Sequence, residues 1–424
     1  MEVALKKNNA NFEVDLNKLD VSQKDAVVSQ ESNVVIRASA GSGKTFTLIN
    51  AIANHRFNYL NDRICAITYT RAARAEMEDR LRSMGIYDVE VTTIHVWARN
   101  LLKDFSIKYD FKIRVLEEND IKSILEELVE QYYRRKSRKI KVNIGILYNY
   151  ITGNKTMEIT DSYRGVLNSI ENSYIKYKRD NVLYDFTDYP LYLYDVMTTY
   201  NEYIYNIDAL FVDEFQDVDE VQFNTFERVL ARKKMFIGDP WQSIFQFRNA
   251  DGEVFNKLGD FSLYKLKYNY RSHQEIIDYA STVYQSLEGR YDEDIYISKV
   301  RNSKPSGIKC IRGPGGNVYI VNFCSNENVI KFKEMLNKNS MILCRTNKQV
   351  KAIQELGYTN VSTIHQAKGL EYDSVIVIDT PILNSEDLNI AYVALTRARD
   401  DLMVISLNFF MEMLNILSRK GGIR

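Results

Sequence analysis

The stretch that decides the fold is NVVIRASAGSGKTFTL (Asn33–Leu48): an apolar strand, a glycine-containing turn and the first turns of a helix. Gly41 and Gly43 allow the backbone to curl until the N–H groups of Ala40, Gly41, Ser42 and Gly43 face a common anion, and the following helix N-terminus adds partial positive charge. Lys44 then reaches the β- and γ-phosphates of a nucleoside triphosphate, and the Thr45 hydroxyl is placed to ligate Mg²⁺. The first motif position is Ala38, where the usual pattern has glycine.

A triphosphate site needs an acidic partner, and DALFVDEFQD (Asp208–Asp217) supplies one, an apolar strand ending in two adjacent carboxylates. Asp213 is the second expected metal-side residue. Glu214 is the expected base that orients and deprotonates the attacking water.

Lys+Arg and Asp+Glu are equal at 56 each, so any nucleic-acid surface has to be a local patch. There is no apolar run long enough to span a bilayer, and the first residues lack the apolar centre of a signal peptide, which predicts a cytoplasmic protein without membrane contact. Cys65, Cys310, Cys324 and Cys344 are scattered, three of them in strand-like runs, and read as buried reduced thiols. With four histidines and no zinc spacing, a His-based metal site is not expected.

Short β-branched runs alternate with amphipathic stretches in two blocks, about 33–95 with 207–247, and about 308–405. That is the pattern of parallel sheets wrapped by helices. Between the pieces of the first block, residues 96–200 carry long polar and aromatic helical patterns. YYRRKSRKIK (Tyr132–Lys141), within them, is the densest basic cluster, equally suited to contacting duplex or to being a solvated helix end. Gly-Pro-Gly-Gly at 313–316 reads as a turn cluster rather than a linker.

The order of further motifs resembles the UvrD/Rep family of superfamily 1A helicases, from Gln23 to about Val404. LDVSQKDAV (Leu19–Val27) is similar to its adenine-reading segment, with Gln23 on the base edge. FIGDPWQSIFQFR (Phe236–Arg248) resembles motif III, which implies that Gln242 senses the γ-phosphate and that Phe247, where the family usually has Trp, stacks on a base beside Arg248. LKYNYRS (Leu266–Ser272) resembles motif IV and implies Tyr270 on adenine and Arg271 on the γ-phosphate. AYVALTRAR (Ala391–Arg399) resembles motif VI and makes Arg397 the second arginine. TIHQAKGLEY (Thr363–Tyr372) resembles motif V, with Glu371 toward the ribose and Thr363 and His365 toward nucleic acid. AITYTRAARAEM (Ala66–Met77) and TTIHVW (Thr92–Trp97) resemble motifs Ia and Ib. They imply a single-strand track through Thr68, Tyr69, Thr93 and His95, with Arg71 displaced by one position from the family's Asn-Lys. YDFTD (Tyr184–Asp188) resembles the family's Asp-Phe-x-Asp segment, read equally as a helix anchor and as function.

The resemblance implies an α/β chain of two RecA-like parallel-sheet P-loop domains with a helical 1B insertion. Domain 1A takes residues 1–95 and 200–265, 1B residues 96–199, and 2A residues 266–424. Only residues 348–362 separate ILCRTN (Ile342–Asn347) from Thr363, so the family's 2B domain is expected to be absent, and the 22 residues after Leu402 are too few for a fused nuclease. The implied activity is an ATP- and Mg²⁺-dependent 3′-to-5′ translocase and helicase, a monomer on single-stranded DNA and at single-strand/duplex junctions. The alternatives are a translocase that strips proteins without sustained unwinding, a DNA-sensing ATPase subunit regulating a partner nuclease in a repair or defence complex, and a non-motor nucleotide switch. A replication or repair protein is a further possible partner.

Overall fold

The computed structural model describes residues 4–5, 14–135, 140–152, 161–244, 252–286, 309–321, 325–379 and 385–419. They form two compact units, one of residues 1–91, 205–220 and 231–424, the other of residues 92–204 and 221–230.

The larger unit is built on two parallel sheets. The first contains β1 (Asn33–Ala38), β2 (Ile64–Thr68), β3 (Val89–Thr93), β4 (Ala209–Val212), β5 (Lys233–Gly238) and β6 (Ser262–Leu266), in the order β3-β2-β4-β5-β1-β6. Every residue of β2 and β4 is buried, because helices cover both faces of such a sheet and leave no room for polar alternation. The register aligns Ile36 with Ile237 and Ile67 with Val212, which lines up the carboxyl ends of β1, β2, β4 and β5 along one edge. In open α/β sheets that edge is where ligands bind.

The second sheet contains β7 (Asn317–Val321), β8 (Met341–Cys344), β9 (Val361–Thr363), β10 (Tyr372–Asp379) and β11 (Ala398–Ser406), in the order β7-β11-β10-β8-β9, all parallel. The two-residue period of its strands divides the side chains between two cores. Leu343, Val375, Val377, Leu402 and Val404 face one, and Ile342, Ile376, Ile378, Met403 and Ile405 face the other. The first of these cores also takes in Ala40, Trp241 and Ile244, and Trp241 meets Tyr392 edge-on at 5.1 Å, so the two sheets share packed apolar contacts. Between β8 and β9 there is one nine-residue helix, Asn347–Glu355, opened by a capping box of Thr346 and Gln349.

The smaller unit is helical: Ile94–Lys108, Glu118–Arg135, Ile144–Ile151, Asp161–Asp180 and Tyr189–Thr199. Leu125, Leu147, Leu167 and Tyr174 centre one core, and Trp97 packs on Phe226 at 5.7 Å. In the basic cluster, Tyr133 turns inward, donating to the Ile140 carbonyl and accepting from Val142 N. Arg134 and Arg135 stay exposed, and residues 136–139 lie outside the described residues. Cys65, Cys310 and Cys344 are buried free thiols, while Cys324 lies outside the described residues. Among the described residues no helix is long and apolar enough to cross a membrane.

Candidate functional site

The loop after β1 has the backbone its glycines permit: φ is +70° at Gly41 and +79° at Gly43. Space is as restrictive as conformation. A Cβ on Gly41 would come within 2.7 Å of Arg271 Cβ and Asn269 Nδ2, and one on Gly43 within 2.9 Å of Gln23 Nε2. The loop is held from outside as well as by itself. Gln23 Nε2 donates to Ser42 O at 3.1 Å, Asn269 Nδ2 to Ala40 O at 2.6 Å, and Tyr270 N to Gly41 O at 2.8 Å. These bonds occupy carbonyls; on the amide side, Ser42 N donates to Ser39 O at 3.2 Å within the loop's own turn. Lys44 and Thr45 open the helix Lys44–Asn58, for which Gly43 is the N-cap.

Beside the loop, Thr45 Oγ1 donates to Asp213 Oδ2 at 3.0 Å. Glu214 has a left-handed φ of +51°, and Gln216 Nε2 donates to its carboxylate at 2.5 Å. Burial and the neighbouring Glu214 push Asp213 up to about 7. Glu214 goes the other way. Burial opposes its charge, but Lys44, Lys368, the Gln216 bond and Arg397 outweigh it and hold the carboxyl below the usual range. Two adjacent acids thus have divergent proton affinities, the carboxyl of Glu214 held toward its ionised form and that of Asp213 toward its protonated one.

The second sheet contributes from the amino ends of its strands. Arg397, immediately before β11, is 1% exposed. It donates to Val393 O at 2.9 Å and Leu370 O at 3.0 Å, and reaches Gln242 Oε1 at 3.4 Å. Gln242 Nε2 in turn donates to Asp239 Oδ2 at 2.6 Å, at the carboxyl end of β5. Arg271 donates to Glu371 at 2.6 Å and to Thr396 O at 3.2 Å, and Arg399 pairs with the same carboxylate. Glu371, expected near a ribose, is thus held between two guanidiniums.

A contact the motifs did not single out ties the sheets. Lys368 Nζ reaches both oxygens of Asp217, at 2.8 and 2.7 Å, and Gln242 O at 2.8 Å. Both partners are buried, and burial pushes Asp217 up to about 6 even against the pull of Lys368. Lys368→Met is expected to destabilise the larger unit by about 3–5 kcal/mol, because the remaining carboxylate is stranded. Asp217→Asn added to it should recover most of the loss. The loss should shrink in mildly acidic buffer, where Asp217 is protonated in the folded protein and its uncompensated charge disappears. Urea midpoints at several pH values read this directly, and a pH-independent loss would contradict it.

The expected nucleic-acid residues divide between the units. In the larger one, Tyr69 is half-buried and Arg71 exposed, but Thr68 and Thr363 are nearly inaccessible. Their hydroxyls serve local backbone, Thr68 donating to Thr70 O and Thr363 accepting from Gln366 N, each at 3.3 Å, as hydroxyls at strand ends commonly do. His365 is half-buried. In the smaller unit Thr93 is 9% exposed, and the His95 ring stacks on Phe186 at 5.8 Å and 10°. Phe186 is more than half exposed and sits in a turn braced by buried charge. Asp185 caps that turn, and Lys178 bonds Asp185 at 2.8 Å and Asp188 at 2.5 Å. Phe247 and Arg248 lie outside the described residues.

A phosphate loop at the carboxyl edge of one parallel sheet, with Arg397 from the amino end of a strand of a second and Arg271 from the segment between the two sheets, defines a two-core P-loop protein. Within that class the chain belongs to the UvrD/REP helicase family: the family's N-terminal domain model matches residues 19–261, more than half of the chain, and the UvrD-like helicase C-terminal domain model matches residues 357–408. Among curated relatives it is similar to DNA helicase II of Rickettsia typhi, 25% identical over 379 residues, covering 82% of this chain and 56% of that protein. It is similar to the ATP-dependent DNA helicase PcrA of Staphylococcus aureus, 26% identical over 377 residues, covering 80% and 49%. It is also similar to a probable DNA helicase of Mycoplasma pneumoniae, 25% identical and covering 92% and 83%. The chain spans about half the length of the first two.

Proposed function

We propose that this chain hydrolyses ATP to drive 3′-to-5′ translocation along single-stranded DNA and to open duplex, as a motor of domains 1A, 1B and 2A without a 2B domain. The observation that carries it is the convergence of Lys44, Asp213 and Glu214 with Gln242 and Arg397, so that a charge on the second core is felt at the base on the first. Hydrolysis is then tied to closure of the cores. Gln23 and Tyr270 take the adenine, Glu371 the ribose, and Lys44, Arg271 and Arg397 the γ-phosphate.

Thr45 and Asp213 fit a hard divalent cation: one hydroxyl and one carboxylate 3.0 Å apart, with the other positions left to phosphate oxygens and water. Mg²⁺ bound there with the triphosphate would neutralise charge on the β- and γ-oxygens.

For the DNA, Tyr69, Phe186 and Phe247 supply stacking faces, and Arg71 and Arg248 supply charge. Phe186→Ala is expected to weaken binding of an oligothymidylate by about 1–3 kcal/mol, the usual cost of one lost base–aromatic stack. Fluorescence anisotropy at fixed salt measures it, and unchanged affinity would remove Phe186 from the track.

The deciding experiment is the ATPase rate with and without single-stranded DNA, followed by unwinding of duplexes carrying a 3′ or a 5′ tail. Stimulation with opening of 3′-tailed substrates alone is expected. Stimulation with protein displacement but no strand separation would mark a protein-stripping translocase, and an unstimulated rate a nucleotide switch or a subunit awaiting its partner. The single nine-residue helix between β8 and β9 is what favours the protein-stripping reading as runner-up.

A further inference from the structure

Tyr270 is tied at two points. Its backbone N–H donates to Gly41 O at 2.8 Å, and its hydroxyl donates to Asp20 Oδ2 at 2.6 Å, while 41% of the residue stays exposed. Asp20 is also the N-cap of the helix Val21–Val27. Its other oxygen accepts from Gln23 N at 3.0 Å and from Ser22 Oγ at 2.6 Å, and Gln23 Oε1 accepts from Asp20 N at 3.2 Å. Gln23 Nε2 then donates to Ser42 O. The bonds close a circuit: Gly41 O, Tyr270, Asp20, Gln23, Ser42 O. Both ends lie on the phosphate loop, and the one exposed ring in it is Tyr270.

An N-cap needs only one acceptor aimed at the N2 or N3 amide, which serine supplies as well as aspartate does. The second oxygen of Asp20 does something an N-cap does not require: it fixes the tilt of the Tyr270 ring from its far end. A phenol held at the backbone alone keeps its χ freedom, and ordering it would be a cost to any ligand that uses its face. With the hydroxyl bonded to a carboxylate, a charge-assisted bond, the ring is ordered before a ligand arrives.

We propose that Asp20 is a positioning residue for the base of the nucleotide. It pre-orders Tyr270 and Gln23 together and links the base-binding surface to the phosphate loop through the carbonyls of Gly41 and Ser42. The inference rests on the nucleotide reading of the site proposed above. Its discriminating consequence is that Asp20 matters to ligands that have a base and not to those that lack one.

Asp20→Ser keeps the cap and is too short to reach Tyr270, whereas Tyr270→Phe keeps the ring and removes the hydroxyl. Each is expected to raise the Kd for ADP about tenfold, the order expected for one hydrogen bond to a charged group. Binding of inorganic tripolyphosphate should be unchanged. The double variant should bind ADP no more weakly than either single one, because both remove the same bond. Equilibrium titration of the purified chain with the two ligands makes the test without requiring turnover. Unchanged ADP binding in both variants, or equal losses for ADP and tripolyphosphate, would overturn the inference while leaving the nucleotide site standing. Wild-type protein that binds neither ligand would overturn both.

Discussion

Glu214→Gln is expected to lower kcat for ATP by about 10²–10⁴, the range supplied by a positioned general base, while nucleotide affinity is kept or improved. The substitution preserves shape, and a glutamine oxygen can still accept from Gln216 Nε2, which bonds this side chain at 2.5 Å. What disappears is an ionised group able to take the proton of the attacking water. Affinity does not fall with it because Glu214 is, after burial itself, the largest influence keeping Asp213 protonated. Without that negative neighbour Asp213 ionises more readily and is a better partner for a nucleotide-bound cation. Single-turnover hydrolysis and equilibrium ATP binding separate the two effects. A variant that loses binding and turnover together would show that Glu214 is needed to build the site rather than to run its chemistry.

The loop after β1 was legible because its pattern is local: an apolar strand, glycines that take positive φ, and a helix that starts directly after them. The strand ending in Asp213-Glu214 was legible for a similar reason, since adjacent acids after an apolar run are costly without a purpose. The alternation of buried strands and amphipathic helices likewise announced two parallel sheets. What could not be read were the ties between distant points. Asp20 and Tyr270 are 250 positions apart, Asn269 and Ala40 are 229 apart, and Lys368 and Asp217 are 151 apart, and no local pattern marks such pairs. Local bonding is equally hard to foresee: the Thr68 and Thr363 hydroxyls, which the motifs place toward nucleic acid, also bond the turns that follow their strands. The composition of the smaller unit, which gathers residues 221–230 with 92–204, depends on packing such as Trp97 on Phe226 and on the bridge between Ile204 and Val229. Hydrophobic periodicity carries no information about such partners.

Arg397→Lys is expected to cost about 10³–10⁵ in kcat, as loss of an arginine finger does, although the positive charge is nominally retained. Geometry supplies the first reason. The guanidinium spans Val393 O, Leu370 O and Gln242 Oε1 at once, and one ammonium on a flexible stem cannot reproduce that fork. Electrostatics supplies the second. Burial pulls the proton affinity of Arg397 down to about 9, against the support of Glu214 and Asp239, and the arginine is still charged at neutral pH. A lysine begins about two units lower, so the same burial brings it toward neutrality and leaves Gln242 facing an amine. Nucleotide binding should suffer much less, because Lys44 and the loop amides remain. Single-strand affinity without nucleotide should not change at all. The change in that affinity when ATP binds should be lost, since coupling between the two ligands requires a group that senses both cores. That last readout separates a failed finger from a damaged fold: a misfolded variant loses DNA binding outright, whereas this one keeps it and no longer responds to ATP. Turnover within tenfold of wild type would place the transferring phosphoryl group beyond the reach of Arg397 and leave closure of the cores to Arg271.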